Sequence, residues 1–308
     1  MTLSSLAKVK LVSIPNIKIL LLKVAIKQSS YDPHEFPHVS LPNTKFSFNG
    51  FELDKLNFKL FHQVVGWQQG ADSIHPCYLH SLAFPLHIKL LLLPEFPFPL
   101  LGLVHISNLI RQVRPIAKSE KLAVSCHFGE LKLHPKGWLF SIEVEFYSGS
   151  ELVWQSVSTN LFRTNHGYDV QPKAKDSTSL ITDPINENWI LSSSLGRKYA
   201  KVSGDFNPIH LSKWSAKLFG FKRHIIHGMW TKSYCISSLE KLRPSLFLQG
   251  FEVNTIFKQP LYLPCDVNMA VQSFEPTSEN SKQHFEVVGT GASSVHQSVH
   301  LIGNICAI

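Results

Sequence analysis

Residues 76–93, PCYLHSLAFPLHIKLLLL, decide the architecture. The run is too long for a strand, and apolar residues cover most of its faces, so it reads as a helix enclosed by other structure. His80, Pro85, His87 and Lys89 within it, and Glu95 just beyond, exclude a bilayer span. Upstream stand a helix-like lead-in, DKLNFKLFHQVVGW (54–67), and a loop, QQGADSIH (68–75). Downstream come four β-rich or alternating segments at 101–116, 120–133, 137–148 and 151–163, separated by turn residues. One helix followed by several antiparallel strands predicts an α+β unit whose curved antiparallel sheet wraps a central helix.

The same plan returns in the second half. A helix-like lead-in at 197–203 precedes a polar loop at 204–210 and a helix at 228–242. Extended segments follow at 245–264, 265–276, 282–293 and 295–308. In both halves the strand after the helix runs into a basic residue and a proline, RQVRPIAKSEKL in one and IFKQPLYLPCDV in the other. Between the halves, apolar periodicity stops, and Gly, Pro, Asp, Asn and Ser dominate. The chain is therefore divided into residues 1–164, a linker at 165–188 and residues 189–308, the two units forming an internal pseudo-dimer.

Composition is that of a folded chain: of 308 residues, 44% are hydrophobic and 17% charged. A net charge of +8 favours anionic partners. Its lysines and arginines are scattered, so no basic tract argues for nucleic acid. The five cysteines are odd in number and lack metal-ligand spacing, which fits a reducing compartment; a cytoplasmic location is expected. The apolar N-terminal stretch LVSIPNIKILLLKVAIK is broken by Pro15, Lys18 and Lys23, which predicts neither a membrane span nor a signal peptide.

The chemistry concentrates in YAKVSGDFNPIHLSKWSAKLFGFKRHIIHGMW, residues 199–230. Ser203-Gly204-Asp205, Asn207-Pro208, His210, Ala216, Gly220-Phe221, Ile225 and His227-Gly228-Met229 follow in the order and spacing of the MaoC-like (R)-specific (type-2) enoyl-CoA hydratase and acyl dehydratase family, which this stretch resembles. The resemblance implies a hot-dog fold, and the order of elements extends it to a double hot dog. It implies a hydro-lyase of fatty-acid metabolism that adds water reversibly, with syn geometry, across a trans-2-enoyl thioester. The first-half loop QQGADSIH has no D-x-N-x-x-H, so that half is expected to be non-catalytic, leaving its apolar helix to line the acyl site.

By the resemblance, Asp205 and His210 activate water and exchange the proton, and Asn207 orients them. The backbone N–H of Gly228 receives the charge that develops on the thioester oxygen. Phe221, His227 and Met229 contact substrate, and Lys222, Arg223 and Arg197 are candidates for the coenzyme A phosphates. No metal or organic cofactor is implied, coenzyme A being part of the substrate. The acyl group arrives as an acyl-CoA or acyl-carrier-protein thioester, the enzyme being a monomeric pseudo-dimer or a homodimer. A hot-dog thioesterase and a non-catalytic acyl-binding protein are the other readings. His227 has a second reading as a residue that only packs under the loop. His224 and Ser212 replace the proline and the acid of many relatives. The other histidines, His75, His80, His87 and His105 among them, and the stretch PEFPFPLL are expected to serve mainly packing.

Overall fold

A computed structural model describes residues 6–27, 29, 31, 39–56, 58–68, 73–164, 181, 184–272, 282–290 and 298–308. In chain order these form β1 (Ala7–Lys10), α1 (Ile17–Ile26), β2 (Thr44–Glu52), α2 (Phe58–Val65), α3 (Pro76–Leu91), β3 (Val104–Gln112), β4 (Lys121–His134), β5 (Gly137–Ser148) and β6 (Glu151–Arg163). The second half adds β7 (Pro184–Leu191), α4 (Leu195–Ser203), α5 (Lys213–Lys217), α6 (Gly228–Leu242), β8 (Phe251–Phe257), β9 (Cys265–Gln272), β10 (Gln283–Gly289) and β11 (Val299–Ala307).

The strands form one sheet in the order β1-β2-β4-β5-β6-β3-β8-β11-β10-β9-β7. All described pairings are antiparallel except that of β1 with β2. With β1 set aside, the order is symmetric about the β3–β8 pair, where Asn108 faces Thr255. Five strands from each half thus mirror one another, and each half carries one long helix, α3 or α6. Helix α3 touches β2, β3, β4 and β5. This is the double hot-dog arrangement of α+β class. Helix α3 was expected to be apolar on most faces because most of them are covered: Cys77, Leu79, Ala83, Leu86 and Leu90 are wholly inaccessible. The PEFPFPLL segment contributes Phe96 and Phe98 to the core.

The expected linker at 165–188 needs correction at its end. Residues 184–188 open β7, which pairs with β9 from Pro184 to Leu191. Its earlier residues lie, apart from Ile181, outside the described ones. The segment expected to be extended from 245 starts instead with a 3-10 turn, Pro244–Leu248, before β8.

A buried lysine ties the halves together. Lys232 of α6 is fully inaccessible. Its Nζ donates to the backbone oxygen of Asn108 (2.7 Å), the side-chain oxygen of Asn108 (2.6 Å) and the backbone oxygen of Val253 (3.2 Å). Three acceptors match the three N–H bonds of an ammonium group, and all three belong to β3 and β8, the strands that join the halves. Burial pushes its pKa down to about 7.

Candidate active site

The site is assembled at two helix ends. Gly204 terminates α4 in a left-handed conformation (φ 78°), with its N–H donating to the Ala200 carbonyl at 2.9 Å. Glycine adopts that conformation without a side-chain clash, and the chain turns out of the helix directly into Asp205. The Asp205 Oδ1 then accepts from the Asn207 N–H at 3.1 Å, and the Asn207 Oδ1 accepts from the Ile209 N–H at 3.3 Å. Two successive Asx-type bonds fold D-F-N-P-I-H into a compact loop whose last three residues are a 3-10 turn, Pro208–His210. Gly196 completes the fit: a Cβ there would collide with the His210 carbonyl oxygen, so α4 and the loop pack closely only with glycine.

The departures from the family pattern are accommodated. Ser212 caps α5 by accepting from the Ser215 N–H at 3.0 Å. The His224 Nε2 is 2.8 Å from the Ser193 carbonyl oxygen, anchoring the segment before α6 to the start of α4.

His210 and His227 stack with ring centroids 3.7 Å apart. The His210 Nδ1 is 2.8 Å from the Ile225 carbonyl oxygen. A carbonyl can only accept, so Nδ1 carries the proton and the Nε2 of the neutral ring presents a lone pair. The His227 Nε2 likewise donates to the Asp205 carbonyl oxygen at 2.9 Å and stands 3.9 Å from its Oδ2. Tyr199, buried in α4, places its ring 5.0 Å from that of His227. His227 is 2% exposed, with Nε2 on the Asp205 carbonyl and its ring against that of His210.

Burial sets the protonation states. It lowers the pKa of His210 to about 3, with His227 adding to the effect while Asp205 and the Ile225 carbonyl oppose it. His227 is lowered to about 4, again by burial first. Burial raises Asp205 from its usual value, with His210 and the Asn207 N–H working the other way. Asp205 nonetheless keeps 29% of its side-chain surface accessible, enough to meet a substrate. At neutral pH both imidazoles are uncharged. Asp205, His210 and His227 each offer a ligand atom within 4.8 Å of the others, a spacing that would also suit a cation.

Gly228 is the first residue of α6, so its N–H has no acceptor within the helix and lies at the positive end of the helix dipole. Phe257 of β8 covers it: a Cβ at position 228 would lie 3.0 Å from the ring. Glycine is therefore what lets Phe257 pack closely over the helix start. Phe257, Tyr199 and Gly196 are the residues that sequence reasoning missed. Phe257 sits 29 positions beyond Gly228 in an ordinary strand and carries no local signal.

The remaining expected contacts separate. Met229 is buried in the core. Phe221 is half-buried, with its N–H donating to the Ala216 carbonyl (3.2 Å), and Lys222 and Arg223 beside it are exposed. The Arg197 guanidinium is engaged with the Leu211 carbonyl at 2.9 Å.

The first half preserves the helix start with a different first residue. His75 precedes α3 as His227 precedes α6, but the first helical residue is Pro76. Proline has no N–H, so no donor exists where Gly228 supplies one. The small cleft there is lined mainly by Trp67, Ile74, Pro76, Gln112, Phe247 and Phe251. Residues 69–72 of its loop lie outside the described ones.

Comparison with known proteins covers the half that holds the site and, for some relatives, most of the chain. Residues 177–296 match the family model described as the MaoC like domain. The 3-hydroxyacyl-thioester dehydratase X of Mycobacterium tuberculosis is 29% identical over 231 residues, 75% of this chain and 81% of that protein. A crystal structure of HtdX from the same organism aligns with a TM-score of 0.70 at 25% identity, covering 85% of this chain and 99% of that one. The peroxisomal enoyl-CoA hydratase 2 of Arabidopsis thaliana is 26% identical over 162 residues, 48% of this chain and 52% of that protein.

Proposed function

We propose that this chain, which carries a MaoC-like dehydratase domain, is a hydro-lyase that interconverts trans-2-enoyl and (3R)-3-hydroxyacyl thioesters. The observation that carries the reading is that Asp205 and the neutral imidazole of His210 offer side-chain atoms within 4.8 Å of each other, with His210 stacked on His227, the residue before the glycine N–H that starts α6. In hydration, the water oxygen bonds to C3 as a proton passes to the Asp205–His210 pair. The pair then returns a proton to C2 on the same face, and the electron pair held as enolate closes the C2–H bond.

Each group has a physical task. His210 accepts through Nε2 because Nδ1–H is committed to the Ile225 carbonyl. Asn207 acts on Asp205 through its backbone N–H, and its side chain fixes the loop. It is a positioning residue. The Gly228 N–H stabilises the thioester oxygen as charge gathers on it, a contribution that is worth most in a water-poor setting. The reaction calls for no organic cofactor. Lys222 and Arg223, exposed near the site in sequence, would meet the phosphates of coenzyme A or the acidic surface of an acyl carrier protein.

The direct test is the fall in 2-enoyl thioester ultraviolet absorbance when pure protein is added to trans-2-enoyl-CoA, with (3R)-hydroxyacyl-CoA as product. Appearance of free thiol without hydroxyacyl product would make the protein a thioesterase instead. Binding without turnover would make it an acyl-binding protein. Rates on CoA and carrier-protein thioesters of several chain lengths assign the carrier and the acyl group.

A further inference from the structure

The site chemistry makes no use of helix α1, and its surface is unlike that of an ordinary outer helix. IKILLLKVAI is apolar on both sides, whereas surface helices keep one polar face. Its inner side packs towards α3 and the core, with Leu20 8% exposed. Its outer side leaves Ile19, Leu22 and Ile26 at 55%, 72% and 79% exposure, and Val12 just before it at 99%. At roughly 100° per residue, these three helical side chains fall within about 60° of one another, forming one ridge. Lys18 and Lys23, both exposed, stand about 40° to either side of that ridge.

The helix is fastened at both ends. Asn16 caps its start by accepting from the Lys18 N–H, and Ile17 lies against the catalytic loop, 3.7 Å from where a Cβ of Gly204 would stand. At the other end the Lys27 Nζ donates to the carbonyl oxygens of Leu91 (2.7 Å), Leu93 (2.8 Å) and Phe96 (3.2 Å), around the C-terminus of α3. The ridge is therefore held outward by contacts at both ends of the helix.

We propose that α1 seats the protein on a bilayer surface containing anionic lipid, with Ile19, Leu22 and Ile26 in the boundary between headgroups and acyl chains and Lys18 and Lys23 among the headgroup phosphates. An apolar ridge flanked by long cationic side chains is what such a boundary accepts, since lysine stems lie along the apolar layer while the ammonium groups reach outward. The net charge of +8 adds attraction at longer range. A second copy of the chain fits less well. A helix of 10 residues is about 15 Å long, and one ridge of it falls well short of the roughly 800 Å² per partner of a stable interface. Two-fold pairing would also bring lysines of like charge together at the rim. Docking does not depend on the reaction proposed above. If that reaction holds, the first turn of α1 keeps the Gly204–Asp205 loop at the surface where long-chain thioesters partition.

Co-sedimentation tests it, using phosphatidylcholine vesicles with and without about a third phosphatidylserine. The wild-type chain should bind the anionic vesicles, leave them in high salt and bind weakly to phosphatidylcholine alone. The double variant Ile19→Glu/Leu22→Glu should bind at least about tenfold more weakly, and Lys18→Gln/Lys23→Gln should show a similar loss on anionic vesicles. Both variants should keep the wild-type thermal melt, which separates lost docking from lost folding. Absence of wild-type binding to anionic vesicles, or undiminished binding by the glutamate variant, overturns the proposal. So does a concentration-dependent dimer, seen by sedimentation velocity, that the glutamate pair abolishes, because the ridge then belongs to a second copy.

Discussion

The starts of α3 and α6 are two versions of one turn. Each helix follows an Ile-His pair, and the histidine adopts nearly the same conformation, φ −60° and ψ 130° at His75 against φ −64° and ψ 135° at His227. Four residues into each helix stands a buried polar side chain, His80 stacked on His105 of β3 in one and Lys232 bonded to Asn108 and Val253 in the other. The serine after it bonds back one turn in both: Ser81 to the Cys77 carbonyl, Ser233 to that of Met229. The versions part at the first helical residue, Pro76 against Gly228, and in the loop before it. Both residues suit a helix start, proline through its fixed φ and glycine through its freedom. Only glycine leaves an N–H to bind an oxyanion. The fold needs the turn; the proposed reaction needs the donor, and a single residue separates the two requirements.

Removing the reacting groups should have the largest effect. Asp205→Asn and His210→Gln are each expected to lower kcat by roughly 10²–10⁴ while the protein remains folded, which turnover of an enoyl thioester and a thermal melt check together. Near-normal rates in both variants would remove these residues from the chemistry. Next comes a transplant of the first-half residue into the second: Gly228→Pro should lower kcat by roughly 10²–10³ through loss of the donor. Because a proline ring would press on Phe257, the variant is compared with Gly228→Pro/Phe257→Ala. Recovery of full activity in that double variant would show crowding, not the donor, to be the cause.

A third outcome concerns acid. Burial holds His62 and His105 in the first half near pKa 4 and His87 near 3, and His75 and His80 well below the usual value. In the second half His227 is near 4 and His210 near 3. These folded-state values lie below those of the unfolded chain, so the unfolded chain binds more protons as pH falls. The stability of the neutral rings is fully present above about pH 6.5 and is lost as pH drops towards 4 and 3. At pH 5 protonation already favours the unfolded chain at each of these rings. Melting temperature should hold steady from pH 8 to 7 and fall steeply between about 6 and 4. An unchanged melt at pH 4.5 would contradict the buried neutral rings. The smallest effect belongs to the reverse transplant, Pro76→Gly. It should leave kcat within about twofold and lower stability by only about 0.5–1 kcal/mol, since a donor without Asp205 and His210 has nothing to act with.

Much of this was legible because it is local. Helix α6 occupies residues 228–242 as its sequence pattern predicts, and β5 and β6 span 137–148 and 151–163. The compact D-x-N-P-x-H loop follows from bonds between residues two apart. The outer strands were illegible for a physical reason. In β7, Pro184, Ile185 and Asn186 are exposed and only Trp189 and Leu191 are buried, so the segment lacks the alternation that marks a half-covered strand and resembles a linker. Every residue of β1 is exposed. The counterpart relation of His75 and His227 was hidden by the few identities between the halves, and the shared Ile-His before each helix was its one clue. Phe257 and Tyr199 reach the site only through tertiary packing.

Among the described residues the single sheet ends in two open margins, and these bear on how the protein behaves at high concentration. A long sheet that does not close offers unpaired backbone groups at each outer strand, the usual template for uncontrolled joining of one molecule to the next. Here β1 carries Lys8 and Lys10 and is only four residues long, while β7 opens on Pro184 and bears Glu187. Charge, brevity and a missing N–H guard the margins, so eleven strands can stand side by side without inviting a twelfth from a neighbouring molecule.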